Sequence, residues 1–328
     1  MMRRARGGNW RILVVLAVVN ILIMAALTAL SPTFLTYDNL SAVLLRMSEL
    51  AMLAIAETVV LIAGGFDLTI GAIMALSATI FGVLHVAGLP FSAAIALSLL
   101  GGMVVGVLNA FLVVALRLQP FIVTLATMSI IRSVVYGLLK GNVLATLPES
   151  FLNLSGVYVL KLPLLFLAVV LVAVLVIVLL RRTSVGRRIY AIGGNERTAF
   201  LSGVHVDRIK YLVYTLSGLI CALAGLMYTA RIRAVVPDMG ITSPLEVVTA
   251  VLIGGTAITG GKGSVLGSLL GILAMYLLLN GFNLLGLSPF WEVIILGVIL
   301  IYVVGQENIM RALRASLSRR KMEKPRAE

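Results

Sequence analysis

Long apolar runs, each near twenty residues and each ended by a short polar or glycine-rich stretch, succeed one another along almost the whole chain. They cover 12–30, 43–63, 69–87, 90–115, 121–139, 162–180, 211–230, 244–260, 265–285 and 290–304. About 20 apolar residues in helical conformation span the hydrocarbon core of a bilayer. A backbone facing lipid must satisfy its own polar groups, so such runs form helices. The pattern predicts an all-α fold, a polytopic membrane bundle of about ten transmembrane helices. A basic head with Arg3, Arg4, Arg6 and Arg11 precedes the first run. It could open a signal peptide, but the run is longer than a usual signal core and no Ala-x-Ala cleavage site follows. The first run therefore reads as a retained span.

Composition agrees and narrows the class. Of 328 residues, 61% are hydrophobic and only 12% charged, where a soluble domain carries about 25% charged residues. The net charge of +13 sits in short segments between apolar runs. It does not form the basic face of a soluble fold, and no nucleic-acid partner is expected. Four of the Lys and Arg fall in the N-terminal head, seven in 181–210 and seven in 305–328. With ten spans these three segments share one side, which the positive-inside rule makes the cytoplasm. Both termini are expected there. Residues 1–328 then read as a single transmembrane domain in the lipid bilayer, with a cytoplasmic loop at 181–210 and a basic tail at 305–328. The lone Cys221 and the two histidines, His85 and His205, are too few for a disulfide framework or a metal cluster.

Two regions echo each other: Val60-Leu61-Ile62-Ala63-Gly64-Gly65 and Val251-Leu252-Ile253-Gly254-Gly255-Thr256. They suggest an internal repeat of spans 2–5 and 7–10, or a chance match of apolar residues and glycine. Small residues at a spacing of four, as in Gly102-x3-Gly106 and Gly263-x3-Gly267-x3-Gly271, let helices approach closely. In Gly64-Gly65-Phe66-Asp67-Leu68-Thr69-Ile70-Gly71 the paired glycines break a helix, and Asp67 can cap the next one. Asp67 is thus either an N-cap in a tight turn or part of a broken helix lining a pathway. Glu57, Glu246 and Glu292 pose the same choice between protein and conduit. The stretch Gly260-Gly261-Lys262-Gly263-Ser264 is not a Walker A loop, because Thr256 and Gly263 stand where a Gly and a Ser or Thr are required. No nucleotide-hydrolysing site is present in the sequence. In the basic loop, Asn195 is a good N-cap, with Glu196 in the first turn of a short helix. Ala199 and Gly203 share one face of it, which can sit in a groove on a partner or belong to a solvated connector.

The segment Glu196-x-x-Ala199-x-x-x-Gly203 resembles the EAA-type coupling loop of ATP-binding-cassette (ABC) importer permeases. The fuller run Gly186-Arg187, Ile189 to Glu196 and Leu201-Ser202-Gly203 resembles the ribose/monosaccharide permease family. Further matches are Gly64-Gly65-x-Asp67-Leu68-Thr69-x-Gly71, Pro120 to Leu125, Val251 to Thr256, Gly260 to Val265 and Asn280-Gly281-x-x-Leu284-Leu285-Gly286. Arg197-Thr198 departs from the small residues usual after the Glu. The resemblance implies a permease subunit that moves a monosaccharide or related solute across the inner membrane of a bacterium. Its expected partners are an ATP-binding-cassette subunit, a second permease subunit and a periplasmic sugar-binding protein. ATP and magnesium would be bound by the partner subunit, with no cofactor in this chain and no enzyme activity of its own. Gly193, Gly194, Asn195, Glu196, Ala199 and Gly203 are the expected coupling residues. Polar residues at membrane depth that can line the pathway are Asp67, Asn109, Gln119, Thr124, Asn280 and Asn283. Two alternatives remain: an ion-coupled carrier using Glu57 or Asp67, and an ABC permease for branched-chain amino acids.

Overall fold

The computed structural model describes residues 2–288 and isolated positions between 290 and 305. The tenth expected span, Glu292 and the basic tail lie outside the described residues as continuous elements. The chain runs through α1 (Met2–Leu30), α2 (Tyr37–Ile62), α3 (Ile70–Val86), α4 (Phe91–Val114) and α5 (Pro120–Leu139). An excursion follows, with the short helix α6 (Glu149–Leu152) and a hairpin of β1 (Tyr158–Val159) and β2 (Leu162–Pro163). Then come α7 (Leu164–Arg182), α8 (Ser184–Gly194), α9 (Glu196–Leu201), α10 (Val206–Ile232), α11 (Ser243–Ile253) and α12 (Val265–Leu284). Among the described residues six helices are long and apolar enough to cross a membrane: α1 from Trp10, α4, α5, α7, α10 and α12. The protein is an all-α polytopic membrane protein.

α2 is the central post, with every residue from Met47 to Ile62 buried. It pays for this with polar groups that find partners inside the bundle: Arg231 of α10 pairs with the buried Glu49 and lies over the Tyr228 ring at 5.2 Å. Thr58 Oγ1 meets Ser268 Oγ of α12 at 2.7 Å. α3 and α4 close on α10 through glycines. A Cβ at Gly102 or at Gly218 would collide with the carbonyl oxygen of the other, and one at Gly225 would strike Met74 O. In lipid no hydrophobic force drives helices together, so this close fit supplies dispersion contacts that longer side chains would prevent.

Two crossings are interrupted. Ser217, about 16 Å along α10 at 1.5 Å per residue, donates to Asp67 just before α3 begins. α3, with 17 residues, therefore occupies only the half of the bundle away from the α8–α9 loop. Gly71 at its start touches Gly240 and Pro244. Pro244 stands at the beginning of α11, whose 11 residues fill the complementary half, toward the loop. The run expected as one span over 244–260 is thus a half-helix followed by a turn. The approach to it, 233–242, descends as irregular chain into the bundle. α5 and the segment after it hold this chain in place. Leu144 and Val235 form an antiparallel bridge, with N–H to O distances of 3.0 and 2.9 Å. Arg132 donates to Met239 O, and Tyr136 to Asp238. Backbone buried without regular structure needs such partners.

The packing predicts opposite outcomes for two glycine substitutions. Gly218→Ala should destabilise the protein by about 1–3 kcal/mol through overpacking, because its Cβ has nowhere to go. Gly137→Ala, on α5 with nothing within 4 Å of the added Cβ, should be neutral or stabilising by about 0.5–1 kcal/mol. Thermal unfolding in detergent measures both.

Candidate functional site

The α8–α9 loop is built as a small rigid arm. Thr183 caps α8, accepting from Gly186 N at 3.1 Å, and Asn195 caps α9, accepting from Thr198 N at 2.8 Å. Lys210 at the start of α10 grips Glu196 of α9 at 2.7 and 2.8 Å. The turn after α9 is closed by Gly203, whose φ is +81°, with Gly203 N bonding Phe200 O and Val204 N bonding Ala199 O. Ala199 is buried, whereas Phe200 and Leu201 are 67% and 76% exposed. The face of α9 that looks away from the protein therefore carries Phe200 and Leu201 beside the exposed Arg197 and Thr198, and the small residue packs inward.

The other end of the arm is fused to the end of α2 and to the turn before α12. α2 and α11 both stop with the same turn. Gly64 N bonds Leu61 O and Gly65 N bonds Val60 O, as Gly255 N bonds Leu252 O and Thr256 N bonds Val251 O. Gly64 and Gly255 hold φ values of +80° and +82°, which glycine adopts without a Cβ penalty. Gly193 of α8 rests directly on the end of α2, where any Cβ would collide with Ile62 O. The same carbonyl accepts from Gly261 N at 2.9 Å. Tyr190 of α8 donates to Gly263 O at 2.9 Å. Burial pushes the Tyr190 phenol up, against the smaller opposing effect of Arg181, so it remains a donor. Backbone from α8, from the end of α2 and from the turn before α12 thus meets with no side chain between.

At mid-depth lies a sealed polar cluster. Asp67 accepts from Thr69 N at 2.9 Å, from the Thr69 hydroxyl and from Ser217 Oγ at 3.1 Å, and its own N–H lies 3.4 Å from Glu57 Oε1. Asn109 Nδ2 reaches Thr69 Oγ1 at 2.9 Å. All five residues are buried, so Asp67, Asn109 and Glu57 face protein in this structure. Thr124 is buried too, its hydroxyl returned to Pro120 O at 2.9 Å within α5. Gln119 is the exposed residue that precedes α5.

An open cavity of about 350 Å³ lies elsewhere, between α2, α11 and α12. Asn280 and Asn283 line it, together with Asn39, Arg46, Glu246 and Tyr276. Asn39 and Asn280 exchange two amide hydrogen bonds, at 3.0 and 2.8 Å, between α2 and α12. Of the six polar residues expected at membrane depth, the structure brings two to this cavity and uses three in helix packing. Sequence reasoning missed Arg46, Asn39 and Tyr276. An Arg nine residues inside an apolar helix, where a charge costs about 2.5–3.5 kcal/mol, was the signal that pointed to a polar space beside α2. It also missed Phe200 and Leu201, two large apolar residues inside a basic loop.

Comparison with known proteins bears on this site. Residues 39–304 match the family described as the branched-chain amino acid transport system / permease component. Among curated relatives, the ribose import permease protein RbsC of Bacillus subtilis (strain 168) is 36% identical over 285 residues, covering 86% of this chain and 88% of the relative. The fructose import permease protein FruG of Bifidobacterium longum is 35% identical over 304 residues, 89% of each chain. The L-arabinose ABC transporter permease protein AraH of Azospirillum brasilense is 31% identical over 316 residues, 96% of this chain and 93% of the relative. No solved structure matches the chain significantly.

The junction yields a graded prediction. Tyr190→Phe removes one hydrogen bond and should cost about 1 kcal/mol, with faster amide exchange confined to 260–264. Gly193→Ala should cost more and loosen 62–65 as well, because two backbones must separate. Hydrogen exchange followed by mass spectrometry reads both.

Proposed function

The chain belongs to the branched-chain amino acid transport system / permease component family, and we propose that it is the membrane-spanning subunit of an ATP-driven monosaccharide importer. The observation that carries this reading is the arm: an exposed tip bearing Phe200 and Leu201, joined through Gly193 to the end of α2 and to the turn before α12. Relatives named as ribose, fructose and arabinose permeases support the solute class.

In this scheme the subunit is a multi-pass protein of the bacterial inner membrane, with ten crossings, both termini in the cytoplasm and one permease domain over 1–328. The α8–α9 arm lies within the cytoplasmic loop 181–210, and 305–328 forms a basic tail. An ATP-binding-cassette subunit, which holds ATP and magnesium, docks on Phe200 and Leu201, while Gly194, Asn195, Glu196, Ala199 and Gly203 shape the arm. A second permease subunit completes the pathway, and a periplasmic sugar-binding protein delivers the solute.

The chemistry required of this chain is mechanical. When the ATP-binding subunits close, the apolar tip is carried with them. Because Gly193 abuts Ile62 O and Tyr190 holds Gly263, the arm cannot move without shifting the end of α2 and the turn before α12. α2 and α12 wall the cavity at their other ends, over 39–46 and 276–284, and as rigid helices they carry the same shift to its opening. Asn280 and Asn283 lie on the solute's route. Asp67, Asn109 and Thr124 hold the walls in register beside it, and Gln119 lies at the start of α5.

Uptake of labelled ribose, arabinose and fructose into cells that make the complete assembly tests the reading. Wild type should accumulate one of these sugars in an ATP-dependent way. Leu201→Glu and Phe200→Glu, which place a charge in the proposed apolar contact, should cut uptake by roughly tenfold or more at unchanged membrane levels. Accumulation driven by an ion gradient without ATP would overturn it.

A further inference from the structure

The excursion between α5 and α7 ends in the β1–β2 hairpin, which the coupling scheme does not use. Tyr158 pairs with Pro163 and Val159 with Leu162, leaving Leu160 and Lys161 as a two-residue turn. Both hold positive φ, +51° and +64°. Such a turn favours Asn-Gly, because a bulky side chain is strained there. No internal packing compensates the strain. Leu160 is 92% exposed, more than any other large hydrophobic among the described residues, and Val157, Tyr158 and Val159 are exposed beside it. Yet the hairpin is firmly held. Leu164 N bonds Val157 O at 2.9 Å, Pro163 is buried, and Tyr37 at the start of α2 donates to Lys161 O at 3.0 Å. An apolar tip is presented on a fixed mount.

α7 sets the depth of that tip. It begins at Leu164, directly after the hairpin, and ends on Arg181 and Arg182 beside the α8–α9 arm. Up to those arginines it spans about 26 Å at 1.5 Å per residue. The hydrocarbon core is about 30 Å thick, and any tilt shortens the reach of a helix across it. With the arginines in one headgroup layer, Leu164 lies inside the opposite edge of the hydrocarbon, and the hairpin must cover the missing length.

We propose that residues 157–161 insert into the headgroup–acyl boundary of the leaflet opposite the arm, as a lipid anchor of the bundle. The residue types suit that layer. Val157, Val159 and Leu160 meet acyl chains, the Tyr158 ring has an apolar body and a polar tip, and the Lys161 ammonium reaches toward lipid phosphate. The patch continues a surface already turned to lipid, since Val170, Leu171 and Val174 of α7 are exposed. Through the Tyr37 hydroxyl the start of α2 is tied to the anchor, whereas its other end meets the arm. The inference needs only a multi-pass membrane protein and does not depend on the importer reading.

The test uses the full chain in a nanodisc of phosphatidylethanolamine and phosphatidylglycerol. Cys221, the single cysteine, is fully buried, so a nitroxide attached to Leu160→Cys reports alone. Its collisions with oxygen, which concentrates in the bilayer, and with a water-soluble nickel chelate give its depth. Ile130→Cys on α5 supplies the lipid reference and Arg197→Cys on the arm the water reference, both positions being exposed. The oxygen-to-nickel ratio at position 160 should lie nearer to that at 130, severalfold above that at 197. A ratio nearer to that at 197 places the tip in water, free for a protein partner, and overturns the anchor. Labelling alters the tip itself, so Tyr158→Trp gives an independent reading in a chain with Trp10→Phe and Trp291→Phe, which removes both native tryptophans. Its fluorescence should be quenched by lipid brominated high on the acyl chain. Adding Leu160→Asp, at an exposed position and with a residue that accepts positive φ more readily, should reduce that quenching severalfold. Absence of quenching overturns the anchor, and quenching unchanged by Leu160→Asp overturns the role of Leu160.

Discussion

The contact on which the rest depends is between main chains. Ile62 O accepts from Gly261 N, and Gly193 rests against the same carbonyl. Three parts of the chain about 70 and 130 residues apart in sequence are thereby joined at their backbones. Side chains would act as springs here, since long ones change rotamer within nanoseconds. Direct backbone packing leaves no such freedom. A displacement applied at α9 therefore arrives at the end of α2 and the turn before α12 with little loss, while the polar cavity lies against the opposite ends of α2 and α12. Glycine at 193 and 261 is what lets the surfaces touch.

Low dielectric surroundings set the second constraint. An interrupted helix in a bilayer exposes backbone groups that lipid cannot satisfy. The protein places its two interruptions at the same depth, so that each half-helix is covered by the irregular stretch beside the other. Asp67 then has a clear structural task. It collects the Thr69 N–H, the Thr69 hydroxyl and Ser217, fixing the start of α3 against α10. On the other side, Arg132, Tyr136 and the Leu144–Val235 bridge fix the approach to α11. With both breaks pinned, the half-helix that carries Glu246 is held on the cavity wall.

Six of the ten expected spans were legible as membrane-length helices among the described residues, because apolar length is a direct physical requirement of the bilayer. The N-cap role of Asn195 was legible too, as was the echo of Val60–Gly65 in Val251–Thr256, which the structure expresses as one shared terminating turn. The half-helix was not. The stretch between the expected spans 211–230 and 244–260 has no period to read, and only its contacts with Gly71, Arg132, Tyr136 and Leu144 show that it enters the bundle. Direction was also hidden. Asn109, Thr124 and Asn280 are alike in sequence, yet two turn into helix packing and one into open space, a choice made by neighbours far along the chain. Arg46 and Glu246 sit 200 residues apart, and no local signal relates them. In the arm, the small-residue stripe suggested the contact face, whereas burial of Ala199 turns Phe200 and Leu201 outward.

The central claim is that the α8–α9 arm and the backbone junction move as one body. Spin labels at Leu201 and Lys262, both exposed, measure it by pulsed electron resonance, with a third label at Ile130 on the lipid-facing side of α5. Between nucleotide-free and ATP-trapped complexes the Leu201–Lys262 distance should stay fixed while Leu201–Ile130 changes. A Leu201–Lys262 distance that shifts with nucleotide, against a constant Leu201–Ile130, would contradict the account.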